Sequence, residues 1–314
     1  MNEFRDRGGG GLPPDLQRFA WGQRQTFLGM PGDEPSLGDA AVVLLPVPYE
    51  ATVSYMPGTR LGPAALLTAS RYVELYDHEL DFEPHQVGIH TLPELMLSGA
   101  GPEAALAELR AVVDALLGAK KFVIMIGGEH SISGPPILAH ADRIEGELSV
   151  LQLDAHADLR PEYEGTPFSH ACVMHRVHDR VRLVQAGIRS LTAEERVLMR
   201  ETGVTTVLGH ELGAPDWIDR VLGALGEQVY VTLDVDYFDP AIMPSTGTPE
   251  PGGGAWYPTL ELLERVFAER RVVGCDVVEL APIPGLVAPD VLAAEVVYKL
   301  VAFYARHHAE EPSA

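Results

Sequence analysis

The segment LDAHADLR, which begins at Leu153, places three side chains that can bind a metal or transfer a proton at alternate positions. These side chains are Asp154, His156 and Asp158, and they follow a run of apolar residues. If they continue a strand, they face the same side, so that two carboxylates and an imidazole come together. Such a cluster is unfavourable without positive charge inside it, which predicts a bound cation.

Three other motifs with ionisable residues also follow apolar runs. His130 lies in IGGEHS, Asp234 and Asp236 lie in LDVDYFDP, and Glu279 lies in DVVELAP. Taken singly, an aspartate at a strand end is more often a helix cap, and the glycines before His130 could cradle a phosphate. Sites in open parallel sheets form at the carboxyl ends of the strands, so we expect the four segments to converge in one crevice.

The combined donor set contains nitrogen and oxygen but no thiol. It comprises two imidazoles and four carboxylates: His130, Asp154, His156, Asp158, Asp234 and Asp236. Such donors favour Mn²⁺ or another hard to borderline cation over a structural zinc site. Four carboxylates exceed what one divalent ion needs, so two ions roughly 3.5–4 Å apart fit better, and they yield hydroxide near neutral pH from a bridging water.

The elements that must position these residues are strands alternating with helices. Runs rich in Val, Ile and Leu begin near residues 40, 121, 148, 181, 228 and 272, and they are nearly continuous, as is typical of strands buried on both faces. Helical spacing marks PEAALAELRAVVDALLGAKK, TLELLERVFAERR and DVLAAEVVYKLVAFYARHH. The alternation predicts a three-layer α/β/α domain with a central, mostly parallel sheet. The long Gly/Pro loop from Pro244 is of a kind that is often functional.

Composition limits the partners of the chain. Its 23 Lys+Arg and 45 Asp+Glu give a formal charge of −22, which argues against nucleic acid or an anionic membrane as partner. An acidic surface could attract a cationic small molecule, although solubility alone also explains the charge. Two cysteines, no secretory signal and no apolar run of about 18 residues favour a cytoplasmic setting.

The chain is predicted to have two parts. Residues 1–40 are rich in Gly, Pro and charge, and we interpret them as an N-terminal arm or a subunit-contact segment. Residues 41–314 form the single catalytic domain in this interpretation, a length that one large domain can fill.

The motifs together resemble those of the ureohydrolase family, which includes arginase, agmatinase and their relatives. The family order GGDHS, DAHxD, SHG, DxDxxDP and a late Glu is matched here by GGEHS, DAHAD, SHACVMHR, DVDYFDP and DVVELAP, across residues 127–282. MPGTRLGPAAL from Met56 and STGTPEPGG from Ser245 look most like the agmatinase members. The resemblance implies an arginase-like single domain with about eight strands, and a homo-oligomer, trimeric or hexameric.

The resemblance also implies a ligand set and catalytic roles. Two Mn²⁺ ions per subunit would be held by two overlapping sets: His130, Asp154, Asp158 and Asp234, and Asp154, His156, Asp234 and Asp236. Asp158 would also accept a hydrogen bond from the bridging hydroxide. His170 would shuttle protons, and Glu279 would pair with the guanidinium of the substrate.

The implied reaction is hydrolysis of a guanidinium to urea and an amine. A carboxylate can hold a planar guanidinium through two parallel hydrogen bonds, and metal-bound hydroxide supplies the strong nucleophile that its carbon requires. Agmatine lacks the α-carboxylate of arginine, and Glu162 and Glu164, in the loop after DAHAD, would suit a cationic tail. The prediction is therefore an agmatinase, which converts agmatine to putrescine and urea.

Two alternatives remain open. One is another amidinohydrolase, a guanidinobutyrase, guanidinopropionase or arginase, in which Arg160 could hold a substrate carboxylate. The other is a metal-binding assembly protein without catalysis. Two departures from the family pattern bear on activity: Glu129 stands where Asp is usual, and Ala171 where Gly is usual. We expect shifted contacts around Glu129 and a less free backbone at Ala171.

Overall fold

The computed structural model describes residues 12–22, 24–29 and 34–309. Within these residues eight strands form one sheet, and each strand pairs in parallel with its neighbours. The strands are Val42–Val47 (β1), Ile89–Thr91 (β2), Phe122–Gly127 (β3), Leu148–Leu153 (β4), Arg182–Ile188 (β5), Thr205–Leu208 (β6), Gln228–Asp234 (β7) and Arg271–Val278 (β8). Their spatial order is β2-β1-β3-β8-β7-β4-β5-β6.

Helices cover both faces of the sheet, which confirms the predicted three-layer fold. The α-helices in the described residues are Gly62–Ala69 (α1), Pro102–Gly118 (α2), Gly134–Ala141 (α3), Ala193–Thr202 (α4), Trp217–Ala224 (α5), Trp256–Glu269 (α6) and Ala288–His307 (α7). Successive residues of one strand enter different cores: Leu44 packs in the cluster that includes α1 and α5 to α7, and Val43 packs in the cluster that includes α2. This alternation explains why the strands are almost uniformly apolar.

All six strands predicted from apolar runs are present, whereas the structure adds β2 and β6 at the two edges of the sheet. β2 has only three residues, and β6 has four, of which Thr205 is exposed. Strands this short and partly polar do not produce a distinct apolar run. The three predicted helices correspond to α2, α6 and α7.

The strand order sets the location of the site. β3, β8, β7 and β4 are adjacent at the centre of the sheet, and the four chemical motifs follow these four strands. The turn after β3 also packs tightly on the end of β1, because a Cβ on Gly128 would lie 1.9 Å from the carbonyl oxygen of Tyr49. Glycine at 128 therefore lets two backbone segments meet below the crevice.

Part of the predicted N-terminal arm is described, and it packs on the domain. Leu12, Leu16 and Trp21 are buried in the core cluster that includes α2. Residues 1–11, 23 and 30–33 lie outside the described residues, so a role in subunit contacts stays a prediction, as does the boundary at residue 40. None of the described helices is long and apolar enough to cross a membrane.

Candidate metal centre

Two tight turns bring the first predicted ligands together. β4 ends at Leu153, so Asp154, His156 and Asp158 follow the strand and do not continue it. Instead, the Asp154 carboxylate accepts a hydrogen bond from the backbone N–H of His156, two residues on. In the same way, Asp234 Oδ1 accepts from the N–H of Asp236 at 2.8 Å. Each turn folds the chain back on its first aspartate, a usual use of Asp in turns.

Two predicted site residues have backbone conformations that side-chain-bearing residues rarely adopt. Asp158 has φ 54° and Glu279 has φ 67°. Non-glycine residues with positive φ are uncommon, and such strain is concentrated at functional sites. The surrounding fold thus holds both carboxylates at a local energetic cost.

The first group of donors surrounds His130, which is 1% exposed. Its Nδ1 lies 3.0 Å from Oδ2 of Asp154, 3.0 Å from Oδ2 of Asp158 and 3.5 Å from Oδ2 of Asp234. This nitrogen is buried and forms no well-shaped hydrogen bond with any described residue. A buried polar atom without a hydrogen bond is costly, and a cation between these donors would satisfy it.

The second group of donors surrounds His156. Its Nδ1 lies 2.9 Å from Oδ2 of Asp236 and 3.6 Å from Oδ1 of Asp154. Donor atoms of Asp154, His156 and Asp236 all lie within 4.8 Å of one another, as do those of His130, Asp154 and Asp234. Asp154 belongs to both groups, as expected of a carboxylate that bridges two ions.

Electrostatics show how strongly the cluster requires positive charge. Burial raises the pKa of Asp234 well above its usual range, and the charges of Asp236 and Asp154 add to this effect. Burial lowers the pKa of His156, but the charge of Asp236 and the contact with Asp154 outweigh it and raise this pKa to about 12. The cluster therefore favours protons on its histidines where no other cation is present.

The geometry fits a pair of divalent cations. All six predicted ligand side chains lie in the cluster, and their donors are nitrogen and oxygen atoms without sulfur. Asp154, Asp158, Asp234 and Asp236 are 0–6% exposed, so their charges are shielded little by water. Metal binding to such a site displaces protons from the ligands.

The residues that orient the ligands are not among the site residues predicted from the sequence. His130 Nε2 lies 2.9 Å from the hydroxyl of Thr232, which donates at 2.7 Å to the buried carboxylate of Asp276. Tyr230 donates to the other oxygen of Asp276 at 2.8 Å. Because the Thr232 proton is directed to Asp276, Nε2–H of His130 is the donor in this pair, and Nδ1 is left to face the acidic cluster.

A second missed residue is Arg189, at the end of β5. Its guanidinium donates to four backbone carbonyls at 2.7–3.1 Å: Gly187, Asp236, Glu250 and Pro251. It thereby ties the turn that carries Asp236 to the long loop predicted from Pro244. That loop also borders the site, because Thr248 lines its pocket and Glu250 Oε1 lies 3.8 Å from His156 Nε2.

A pocket of about 250 Å³ opens above the cluster. It contains all three predicted catalytic residues, Asp158, His170 and Glu279. Glu279 is 6% exposed and accepts a hydrogen bond from the backbone N–H of His130 at 2.6 Å. Burial raises the pKa of Glu279 well above its usual range despite this bond, so a cationic group beside it would be stabilised.

The loop after Asp158 differs from expectation in which side chains reach the pocket. Glu162 and Glu164 are exposed and do not line it, whereas Arg160 and Tyr163 do. The Arg160 guanidinium lies 4.8 Å from the centre of the Tyr163 ring. Glu195 also lines the pocket, but its carboxylate accepts from the N–H groups of Leu159 and Thr192.

The departure at Ala171 has no backbone consequence. His170–Cys172 is a short 3-10 helix capped by Ser169, whose hydroxyl oxygen accepts from the Ala171 N–H. Ala171 is not among the described residues with positive φ. Since an alanine adopts helical angles readily, glycine is not required here.

Comparisons with known proteins agree with the fold and identify the family. Residues 40–302 match the Arginase family. The chain is 39% identical over 277 residues to the N(1)-aminopropylagmatine ureohydrolase of Synechocystis sp., which covers 86% of this chain and 90% of the relative. It is 36% identical over 257 residues to the agmatinase of Bacillus cereus, covering 79% of this chain and 86% of the relative.

A solved structure shows the same architecture. The agmatine ureohydrolase of Thermoplasma volcanium superimposes with a TM-score of 0.80 at 28% identity, covering 92% of this chain and 97% of that one. The chain belongs to the arginase family. It is a ureohydrolase of the agmatinase-like kind, a hydrolase that acts on carbon–nitrogen bonds of amidino groups.

Proposed function

We propose that this protein releases urea from a guanidino compound whose tail is an amine, with N1-aminopropylagmatine as the preferred substrate. The observation that supports a guanidino substrate most directly is the position of Glu279, a buried carboxylate in the same pocket as the acidic metal-ligating cluster. The relative from Synechocystis carries the corresponding name. Removal of the amidino group as urea would leave a triamine.

Agmatine is the second candidate and the substrate predicted from the motifs. The relative from Bacillus cereus is named agmatinase. Agmatine and its aminopropyl derivative share the guanidinium that is cleaved, and they differ in the length and charge of the tail. Arg160 is the one Lys or Arg side chain among the described pocket-lining residues, so a preference for a carboxylate tail would depend on it.

The metal ligands define how the chain would prepare this reaction. His130, Asp154, Asp158 and Asp234 would hold one ion, and Asp154, His156, Asp234 and Asp236 the other, as the resemblance implies. Such a pair, for which we propose Mn²⁺, would lower the pKa of a bound water and so would supply a nucleophile near neutral pH. The contacts of His130 with Asp154, Asp158 and Asp234 support the first set. Those of His156 with Asp154 and Asp236 support three members of the second set.

The remaining steps belong to three side chains in the pocket. Glu279 binds the substrate guanidinium through parallel hydrogen bonds and fixes its plane. Asp158 accepts a hydrogen bond from the attacking water and so orients its lone pair toward the guanidinium carbon. His170 gives a proton to the amine nitrogen as the carbon–nitrogen bond breaks, which lets the amine leave as a neutral group.

The test is urea release by the Mn²⁺-loaded protein from N1-aminopropylagmatine, agmatine, arginine, guanidinobutyrate and guanidinopropionate. We expect the highest kcat/KM with N1-aminopropylagmatine, a lower value with agmatine, and loss of both in Asp154→Asn. Faster turnover of arginine or of a guanidino acid would overturn the proposed substrate class. Bound metal without urea from any compound would favour the assembly protein. A trimer or hexamer, in the cytoplasm, remains our expectation for the native state.

A further inference from the structure

Thr52 lies between Glu129 and His170, which belong to two different sequence motifs. It follows β1, and its side chain hydroxyl contacts both Glu129, in the turn after β3, and His170. Oγ1 of Thr52 donates to Oε1 of Glu129 at 2.7 Å. The same oxygen accepts from the backbone N–H of His170 at 3.0 Å and lies 3.3 Å from His170 Nδ1.

Glu129 is held as a pure acceptor. It is 0% exposed, and four donors surround its carboxylate. Oε2 accepts from the backbone N–H groups of Ala51 and Thr52 at 2.6 and 2.7 Å, and Oε1 accepts from the hydroxyls of Thr52 and Ser131. A carboxylate offers about four acceptor positions, and these four donors occupy them.

The direction of the Thr52 hydrogen bonds then follows from counting protons. A hydroxyl has one donor and two acceptor positions. The Thr52 proton is directed to Glu129, and one lone pair accepts from the backbone N–H of His170. The remaining lone pair faces His170 Nδ1, which must therefore carry a hydrogen to make a favourable contact.

We infer that Glu129 and Thr52 are positioning residues that fix neutral His170 as the Nδ1–H tautomer. Nε2 is then the nitrogen that exchanges protons with the pocket, where it lies 3.4 Å from the Ser54 hydroxyl. The Ser169 hydroxyl also lies 3.4 Å from Nδ1 and could donate to a bare nitrogen. The Ser169 hydroxyl can also rotate and accept from Nδ1–H, whereas the Thr52 proton is directed to Glu129, so Thr52 can only accept from Nδ1.

This inference rests on the proposed function for the identity of the proton acceptor. During hydrolysis, the doubly protonated ring donates the Nε2 proton to the leaving amine, whose nitrogen keeps the electron pair of the broken bond. The ring is then neutral with hydrogen on Nδ1, the tautomer that Thr52 stabilises. It regains the Nε2 proton from solvent, which reaches this half-buried side chain.

The inference also gives a reason for the departure at Glu129. Glutamate is one methylene longer than the family's usual aspartate, and its carboxylate reaches across to the loop after β1. That loop carries both Thr52 and Ser54, the two hydroxyl groups on either side of the His170 ring. The longer side chain thus links the ligand-bearing turn of β3 to the loop that contacts His170.

The test compares Thr52→Val, which removes the hydroxyl at nearly constant shape, with Thr52→Ser, which keeps it. The full chain, loaded with Mg²⁺ to avoid paramagnetism, is labelled with ¹⁵N-histidine and studied by solid-state NMR well above the ordinary histidine pKa. A difference spectrum against His170→Asn identifies the two ring nitrogens. Thr202→Val serves as the matched control, because that hydroxyl is exposed and bonds only within α4.

We expect hydrogen on Nδ1 of His170 in the wild type, in Thr52→Ser and in the control, and a mixture of tautomers in Thr52→Val. In urea release with Mn²⁺, Thr52→Val should lower kcat about three- to tenfold with little change in KM, as expected for loss of one hydrogen bond to a neutral partner. A wild-type spectrum with hydrogen on Nε2, or an unchanged tautomer in Thr52→Val, would overturn the inference.

The spectra separate this inference from the proposed function. If no guanidino compound yields urea but the Nδ1–H tautomer depends on Thr52, the positioning role stands and the proposed reaction fails. If urea is released and the tautomer does not depend on Thr52, the reaction stands and the positioning role fails. Rescue by Thr52→Ser excludes a general loss of packing as the cause.

Discussion

His130 and His170 show how one structural device can serve two different tasks. Each ring contacts a threonine hydroxyl whose proton is directed to a buried carboxylate: Thr232 and Asp276 for His130, Thr52 and Glu129 for His170. The difference lies in which nitrogen is held. At His130 it is Nε2, so Nδ1 faces the carboxylate cluster, and at His170 it is Nδ1, so Nε2 faces the pocket.

Burial separates the two tasks further. His130 is 1% exposed, whereas His170 is half-buried and lines the pocket. A nitrogen deep among carboxylates suits a permanent ligand, because water cannot compete for the ion there. A nitrogen at the pocket wall suits proton exchange, which needs repeated contact with solvent or substrate.

Replacing each histidine in turn should separate metal binding from catalysis, with the largest effects expected for this protein. We expect His130→Ala to lose tight metal binding and to reduce urea release to background, since a ligand is missing from the buried cluster. We expect His170→Asn to bind metal normally and to lower kcat about 10²- to 10⁴-fold, the usual range for loss of a general acid. Metal binding is measured independently of urea release, from the metal content of the purified variants and from the rise of Tm with added Mn²⁺.

A His170→Asn variant without metal would contradict this assignment of tasks. So would a His130→Ala variant that keeps both its metal and its activity. Asp154→Asn provides the reference for loss of a carboxylate that belongs to both donor groups.

Gly128 lies where the turn that carries His130 meets the segment after β1 that leads to Thr52, and its replacement should disturb both. The Cβ of Gly128→Ala would lie 1.9 Å from the Tyr49 carbonyl oxygen, so the end of β1 must move relative to the turn after β3. We expect a loss of about 2–3 kcal/mol in the free energy of unfolding, as for other overpacked interiors. Denaturant titration of the metal-free and metal-loaded protein measures it.

Gly223→Ala is the matched control for this stability measurement. Gly223 lies in α5, and a Cβ there meets nothing within 4 Å. Alanine at this helical position should leave stability unchanged or raise it by up to about 1 kcal/mol. Equal losses in both variants would show that the close approach at Gly128 is not what limits substitution.

The carboxylate–threonine pair behind His130 can be tested without removing the ligand itself. Thr232→Val should lower metal affinity about 10- to 100-fold, as for loss of other groups that orient a metal-binding histidine. At saturating metal kcat should stay close to wild type. The Mn²⁺ concentration for half-maximal urea release measures the affinity, with Thr202→Val as control. An unchanged affinity with a lowered kcat would instead place Thr232 in the catalytic step.

These pairs mark the limit of what the sequence could predict. The strands β3, β4, β7 and β8 were recognisable because apolar runs end in ionisable residues, and the rule for parallel sheets placed their ends together. Thr52 and Glu129 are separated by 77 residues, and Thr232 and Asp276 by 44. Such pairs meet through strand order and backbone turns, for which a single sequence has no periodic signal.

The loop after Asp158 illustrates the same limit at the level of single side chains. Its composition suggested acidic residues near the substrate, but Glu162 and Glu164 are exposed, and Arg160 and Tyr163 line the pocket. Irregular backbone, such as the left-handed Glu164, decides which side chains turn inward. Arg189 was missed for a related reason, because it binds carbonyls rather than any group that a motif names.

The smallest expected effect on KM is that of replacing Arg160, which lines the pocket beside Tyr163. Its charge should repel an amine tail, so Arg160→Ala should lower KM for agmatine and N1-aminopropylagmatine about two- to fivefold, and added salt should shrink the change by screening. Arg182→Ala removes the same charge elsewhere, because Arg182 lies at the start of β5 with an exposed side chain that pairs with Glu147, just before β4. If Arg160→Ala instead raises KM for guanidinobutyrate strongly and leaves the amines unaffected, the pocket reads a carboxylate, and the proposed amine tail is wrong.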